Sequence, residues 1–295
     1  MSTVLITGTS TGIGRATAET LLSQGHTVYA TMRDAEGRDA AAASQLGEFA
    51  ASRPGSLRIA GLDVTSQASA DAAVQRVIDE AGHLDVVVHN AGHLFVGYTE
   101  AFTEDDLTRL LDVNAVGAHR VNRAALPHLR GRRSGTLVYV GSTILVTTPP
   151  FLGPYVASKA AFDALAVVTS YEVSQFGIET SIVMPGAIPH GTNHFSGASR
   201  ASDAQVTAAY VDLDALVART NEAHDGLFHP ERPADPQSVA DEVARILTLP
   251  EGCKPFRSVV DAARAGVDHV MAFSDLTREA FVRRLGFEEV LELKR

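Results

Sequence analysis

Short, β-branched apolar runs alternate with longer stretches of helical periodicity through roughly the first 190 residues of the chain. Six of the runs predict strands: Val4-Leu5-Ile6, Val28–Thr31, Leu57-Arg58-Ile59, Val86-Val87-Val88, Leu137–Val140 and Ser181-Ile182-Val183. Their apolar character is continuous rather than alternating, which predicts strands covered on both faces, as in a parallel sheet. Between them the spacing predicts helices over Ile13–Gln24, Gln67–Ala81, Glu104–Leu129 and Tyr155–Phe176. The Ala-rich stretch Asp39–Ser52, with a weaker apolar face, is read as one more helix.

This alternation predicts an α/β fold with a doubly wound, Rossmann-type parallel sheet, right-handed crossovers and a ligand site at the C-terminal strand ends. After Gly186 the alternation lapses. Pro189–Gly197 reads as a loop, Ala204–Glu222 as a helix, and the Pro-rich stretch 230–236 as the end of an insertion. Ser238–Leu247 predicts another helix, Arg257–Val260 a seventh strand and Leu276–Leu285 a terminal helix. The expected organisation over residues 1–295 is one Rossmann-type domain. About 1–190 form its core, about 187–235 a loop over the site, and about 236–295 the last helices and strand.

Composition narrows the function classes. The chain has 295 residues, 35 acidic against 25 basic, and a net charge of −10. That excess of acid argues against nucleic acid as a partner, which needs a concentrated positive face. Cys253 is the single cysteine and has no intrachain partner. No apolar run approaches the roughly 20 residues of a membrane helix, and no leader pattern opens the chain. The expectation is a cytoplasmic protein that binds neither membrane nor nucleic acid.

The chemistry-bearing residues follow the strands. The first strand leads into Thr7-Gly8-Thr9-Ser10-Thr11-Gly12-Ile13-Gly14, then a helix. Glycines at such a turn let a ligand approach the backbone and leave helix N-terminal amides facing an anion such as a pyrophosphate. The second strand ends at Met32-Arg33-Asp34, where a dinucleotide fold meets the adenosine ribose. Arg33 pairs with a 2′-phosphate, whereas an acid at the strand tip would repel one, so NADP(H) is favoured over NAD(H). Asp34 remains an alternative ribose acceptor. Asp63, followed by Val64, either reaches an adenine amine or caps the helix starting near Gln67. Tyr155 and Lys159 lie four apart, on one helix face. Lys159, Lys254 and Lys294 are the only lysines among 25 basic residues, so a lysine at this spacing is informative. A cation beside a phenol favours the phenolate and suits it to acid–base work.

With Thr7-Gly8-x3-Gly12-x-Gly14, Asn90-Ala91-Gly92, Asn114, Ser142, Tyr155-x3-Lys159 and Pro185-Gly186 in this order, the sequence resembles the classical short-chain dehydrogenase/reductase family. The resemblance is strong over roughly residues 3–190 and loose beyond. It implies a catalytic set of Asn114, Ser142, Tyr155 and Lys159. Tyr155 would exchange a proton with the substrate oxygen and Ser142 would hydrogen-bond that oxygen. Lys159 would hold the nicotinamide ribose and lower the Tyr155 pKa, and Asn114 would fix a water. It implies cofactor contacts from Gly8, Ser10, Thr11, Gly12, Ile13, Gly14, Arg33, Asp63, Val64, Asn90, Ala91, Gly92, Tyr155, Lys159, Pro185, Gly186 and Ile188. It also implies a homodimer or homotetramer built through the helices Glu104–Leu129 and Tyr155–Phe176.

Some positions depart from the family pattern. His89 stands where a second Asn is frequent, and Gly141 where a Ser is. The position five after Pro185, where the family often has a Thr that meets nicotinamide, is His190, and the nearest Thr is Thr192. His190 and His194 have helical metal-ligand spacing, but Pro189, Gly191 and Asn193 argue against a helix there and no carboxylate partner stands nearby in sequence, so no metal is expected. A substrate pocket is expected from Leu94, Phe95, Ile144, Pro150, Phe151, Ala187–Phe195 and the face of Ala204–Glu222. Its apolar character favours a hydrophobic small-molecule ketone or alcohol as the partner. The competing readings are a non-catalytic dinucleotide-binding regulator on the same fold, and a lyase or epimerase that uses its nicotinamide transiently.

Overall fold

The computed structural model describes residues 1–219, 226–228, 231 and 234–294. Among them, β1 (Thr3–Ile6), β2 (Thr27–Met32), β3 (Ser56–Gly61), β4 (Val86–His89), β5 (Gly135–Val140), β6 (Ile178–Pro185) and β7 (Arg257–Val260) form one sheet in the order β3-β2-β1-β4-β5-β6-β7. Every pairing is parallel. The chain starts at β1, builds outward to β3, then returns to β4 on the other side of β1. The switch point therefore opens between the C-terminal ends of β1 and β4, where α/β sheets bind ligands.

Helices cover both faces. One core packs α3 (Gln67–Ala81), α5 (Gly117–Arg132) and α7 (Gly153–Ser174) against Leu5, Val87, Leu137, Tyr139 and Ile182. The opposite core packs α1 (Gly12–Ser23), α2 (Ala40–Ala50) and α10 (Pro236–Thr248) against Val4, Ile6, Val28, Val88 and Val138. The side chains of β1 and β4 go alternately to the two cores, so both faces of each strand are buried and its sequence is apolar throughout. α3 starts at Ser66, whose hydroxyl accepts from Ser69 N, and stops at Gly82 in the left-handed conformation. Among the described residues, no helix is long and apolar enough to cross a membrane.

Several elements differ from the expectation. The predicted helix Glu104–Leu129 is α4 (Glu104–Leu111), a π-turn at Asp112–Val116 and α5, which continues to Arg132. A short helix, α6 (Ile144–Thr147), follows β5 unannounced. The predicted helix Ala204–Glu222 is broken into α8 (Ala204–Ala209), a 3-10 turn at Val211–Leu213 and α9 (Asp214–Ala218); its end, 220–222, lies outside the described residues. The break falls at Tyr210, whose ring stacks on Tyr98 and whose hydroxyl donates to Glu100, a tertiary tie that overrides helical propensity. Part of the Pro-rich stretch 230–236 also lies outside. The terminal helix, α11 (Val267–Arg284), begins nine residues before the predicted Leu276. Its first half buries Val267 and Met271 but exposes Val270 and Phe273, so it lacks a clean apolar stripe.

Candidate active site

The C-terminal ends of β1 and β4 are tied together by Thr7 and Asn90. Thr7 Oγ1 accepts from the amides of Asn90 and Ala91, and Asn90 Nδ2 donates to the carbonyls of Thr7 (2.9 Å) and Gly8 (2.8 Å). Gly8 has a φ of +72°, and a side chain there would meet the backbone of Ala91 at 2.9 Å. A side chain at Gly14 would run into the Gly8 carbonyl and the Asn90 amide. The turn is thus closed against β4, with the N-terminus of α1 left open to the cleft. This is the shape that a dinucleotide pyrophosphate requires.

The cleft above the turn has a volume of about 1600 Å³. Gly8, Ser10, Thr11, Gly12, Ile13, Arg33, Asp63, Val64, Asn90, Ala91, Gly92, Ser142, Tyr155, Lys159, Pro185, Gly186 and Ile188 line it. Two expected residues stand behind its wall. Gly14 takes part through the close packing just described. Asn114, inside the π-turn, is buried: Oδ1 accepts from His93 N (2.7 Å), and Nδ2 donates to His93 O (2.9 Å) and Ser158 Oγ (2.9 Å). The π-turn's extra residue per turn swings Asn114 onto the segment after β4, which makes it a clamp on the cleft floor.

At the end of the cleft beside β2 and α2, Arg33 is joined by Arg15 and Arg38. The Asp34 carboxylate accepts from the amides of Gly37 (3.0 Å) and Arg38 (2.9 Å), so it is turned into its own loop. Asp39 also faces the cleft and pairs with Arg38 at 3.3 Å. Asp63 is not the cap of α3, a position held by Ser66; its Oδ1 accepts from the amide and hydroxyl of Thr65. Burial pushes the Asp63 carboxyl up, but those bonds, with Arg33 and Arg120, outweigh it and hold the group below its ordinary value.

At the other end, Phe151 takes positive φ just before α7, which starts at Gly153 with Pro154 in its first turn and sets Tyr155 and Lys159 facing the tip of β5. Lys159 Nζ donates to Val140 O at 3.0 Å, and burial pushes its pKa down to about 8. Burial raises the Tyr155 phenol, and the Ser142 hydroxyl opposes that rise. Ser142 Oγ also accepts from Ile144 N at 3.2 Å, fixed there by α6.

The wall beyond Tyr155 is Leu94, Phe95, Ile144, Pro149, Leu152 and Phe195, with Arg109 and His93 at its edge. Pro150 and Phe151, expected here, are not among the lining residues. Thr148 and Phe151 take positive φ, which turns Pro149 and Leu152 inward and sends Phe151 edge-on to Tyr98. Residues 204–219 do not line the cleft either, since α8 and α9 pack on the Tyr98–Ala101 segment. Segment 187–199 does cross it. Thr192 comes against Gly12, within 3.2 Å of where a Gly12 side chain would start, whereas His190 is not on the cleft wall. His194 Nε2 lies 3.2 Å from Tyr155 Oη. Among the described residues no group of three or more His, Cys, Asp or Glu is placed to hold a metal. Arg15, Arg38 and the His194–Tyr155 contact were not found by sequence reasoning. The arginines lie next to the expected phosphate site and were within its reach, but the histidine contact depends on the path of a loop.

The family model for short chain dehydrogenases matches residues 2–201. Human 17-beta-hydroxysteroid dehydrogenase type 1 is 40% identical over 190 residues, 63% of this chain and 56% of that protein. The 3-ketodihydrosphingosine reductase of Bacteroides thetaiotaomicron is 33% identical over 183 residues, 62% of each chain. The chain thus spans about three fifths of the length of these curated relatives. A solved short-chain dehydrogenase from Streptomyces avermitilis superposes with a TM-score of 0.73 at 28% identity, covering 97% of this chain and 98% of that one. By its sequence match and its fold, this chain belongs to the short-chain dehydrogenase family.

Proposed function

We propose that the chain is an NADP(H)-dependent oxidoreductase that interconverts a carbonyl and a secondary alcohol on a hydrophobic small molecule, with Tyr155 as acid and base. The observation that carries this reading is the convergence of Ser142, Tyr155 and Lys159 at the tip of β5, on the same cleft onto which the Gly8–Gly14 turn opens. The turn and the α1 N-terminus would hold the pyrophosphate, Asp63 and Val64 the adenine side, and Lys159 the nicotinamide ribose. When bound, the cofactor supplies or accepts the hydride. In reduction the Tyr155 hydroxyl gives its proton to the substrate oxygen while the Ser142 hydroxyl donates a hydrogen bond to it, offsetting the charge that develops there. In oxidation the Tyr155 oxygen takes that proton back. Asn114 keeps the His93 backbone, and with it the cleft floor, in register.

Arg33 and Arg38 support NADP(H), because guanidinium groups pair with a 2′-phosphate and the Asp34 carboxylate is occupied within its own turn. The apolar wall around Phe95 and Leu152 supports a hydrophobic substrate, which segment 187–199, crossing the cleft, would cover. Two relatives are named for a hydroxysteroid and for 3-ketodihydrosphingosine, an alcohol and a ketone. The test is to titrate nicotinamide fluorescence with NADPH and NADH, then assay a panel of hydrophobic ketones. Arg33→Ala is expected to weaken NADPH by about tenfold or more and to leave NADH nearly unchanged. Tyr155→Phe is expected to bind cofactor normally and lose turnover by about a hundredfold or more. Binding without turnover of any ketone or alcohol would favour the regulator reading, and tighter NADH binding would overturn the NADP(H) preference.

A further inference from the structure

The strap formed by residues 187–199 is anchored on both sides of the cleft. Thr192 sits on the Gly12 turn, and its hydroxyl accepts from His194 N at 3.3 Å. Beyond His194, Gly197 N donates to Asn193 O, Ser199 N donates to Leu94 O at 2.9 Å, and Val96 N donates to Ser199 O at 3.0 Å. The Ser199 hydroxyl and His93 Nε2 are 2.8 Å apart. Between these anchors the partly buried His194 ring meets Tyr155 edge-on, with centroids 5.4 Å apart, and Phe195 packs against its other side. The contact between His194 Nε2 and Tyr155 Oη is therefore built into the strap rather than left to a floating side chain.

We propose that His194 is a positioning residue for Tyr155: its Nε2–H donates to the Tyr155 oxygen and stabilises the phenolate that exists whenever the Tyr155 proton is on the substrate. The inference rests on the acid–base reading of Tyr155 given above. A tyrosine has one proton, and in reduction that proton is aimed at the substrate oxygen. A simultaneous bond to His194 therefore requires the imidazole to donate and Tyr155 to accept. The ring is neutral, since burial, first, and the Lys159 ammonium of α7 disfavour its cationic form. His93 is itself held neutral by burial, Arg33 and Arg109. A buried phenolate is costly, and the Ser142 hydroxyl is shared with the substrate, so a second donor has a physical task.

The test combines a direct readout with a kinetic one. Long-range proton–nitrogen spectra of imidazole-labelled protein, assigned with His194→Leu, are expected to show the Nε2–H tautomer near neutral pH and a displaced Nε2 resonance in Tyr155→Phe. In the oxidative direction, where the Tyr155 oxygen must start deprotonated, His194→Leu is expected to move the acid limb of the kcat profile upward by about one pH unit or more, and His194→Gln, which keeps an N–H donor, to restore most of it. Lys159, Ser142, His93, Arg33 and Arg109 remain in every variant, so their charges do not account for a difference between them. An Nδ1–H tautomer with Nε2 accepting would overturn the proposal. So would a His194→Leu enzyme whose limb is unmoved while kcat/KM falls, because that pattern is loss of packing. If the wild type turns over no substrate, the functional reading fails, and the imidazole spectra still decide the donor assignment.

Discussion

His89 ends β4 with its ring stacked on Tyr139 at 4.6 Å and neither ring nitrogen within hydrogen-bond distance of a partner among the described residues. Burial drives its pKa down to about 4, which the nearby Asn122 only partly opposes. The unfolded chain takes up this proton near the ordinary value of 6.5, before the folded protein does. The stability is therefore fully present above about pH 6.5 and erodes as the pH falls toward 4, by on the order of 3 kcal/mol for this group. His89→Asn is expected to flatten that part of the pH dependence in urea unfolding measured at about pH 8 and about pH 5. An unchanged slope would show that other groups carry it. At this scale sequence reading succeeds where chemistry is local: Tyr155 and Lys159 share a helix face whatever the rest of the chain does. It does not see His194 against Tyr155, since 39 residues of chain separate them.

Among the elements, α7 does two jobs. Its inner face presents Tyr155 and Lys159 to the cleft, while Leu165 and Val168 on its outer face are 42% and 53% exposed. Leu107 of α4 and Val116 in the π-turn are also exposed, at 37% and 39%. Apolar groups left on these helices fit the homodimer or homotetramer that family resemblance implies, with a symmetric patch meeting its own copy. Val168→Glu is expected to lower the sedimenting mass by at least half relative to the wild type. Wild-type protein that sediments as a monomer would remove the idea. The helices with tertiary partners along one face were legible from periodicity. The π-turn and the break at Tyr210 were not, because each exists to satisfy a contact with a distant segment, Asn114 with His93 and Tyr210 with Tyr98.

In the whole molecule, the last strand is joined to α7 by charge. Arg257 of β7 is almost buried and pairs with Asp163 of α7 (2.8 Å) and Asp275 of α11 (3.1 Å), while Arg278 completes the group from α11. Removing one member leaves buried charge without its partner. Arg257→Met is therefore expected to cost about 3–5 kcal/mol in denaturant unfolding, and Arg257→Met combined with Asp163→Leu to cost less than the single change. Additive losses would mean that the two residues do not act as a pair.

The sequence by itself determined the strand order of chemistry along the chain: which runs are buried on both faces, where glycines permit a turn, and which helix carries the tyrosine and lysine. These depend on periods of two and 3.6 residues and on backbone sterics, which are local. Only the tertiary structure decided that Asn114 grips the cleft floor, that Arg15 and Arg38 join Arg33, that Pro149 and Leu152 replace Pro150 and Phe151 on the wall, and that the strap sets His194 on Tyr155. Those outcomes depend on packing between segments far apart in sequence, where the path of a loop is set by whichever buried polar groups and aromatic rings it must satisfy.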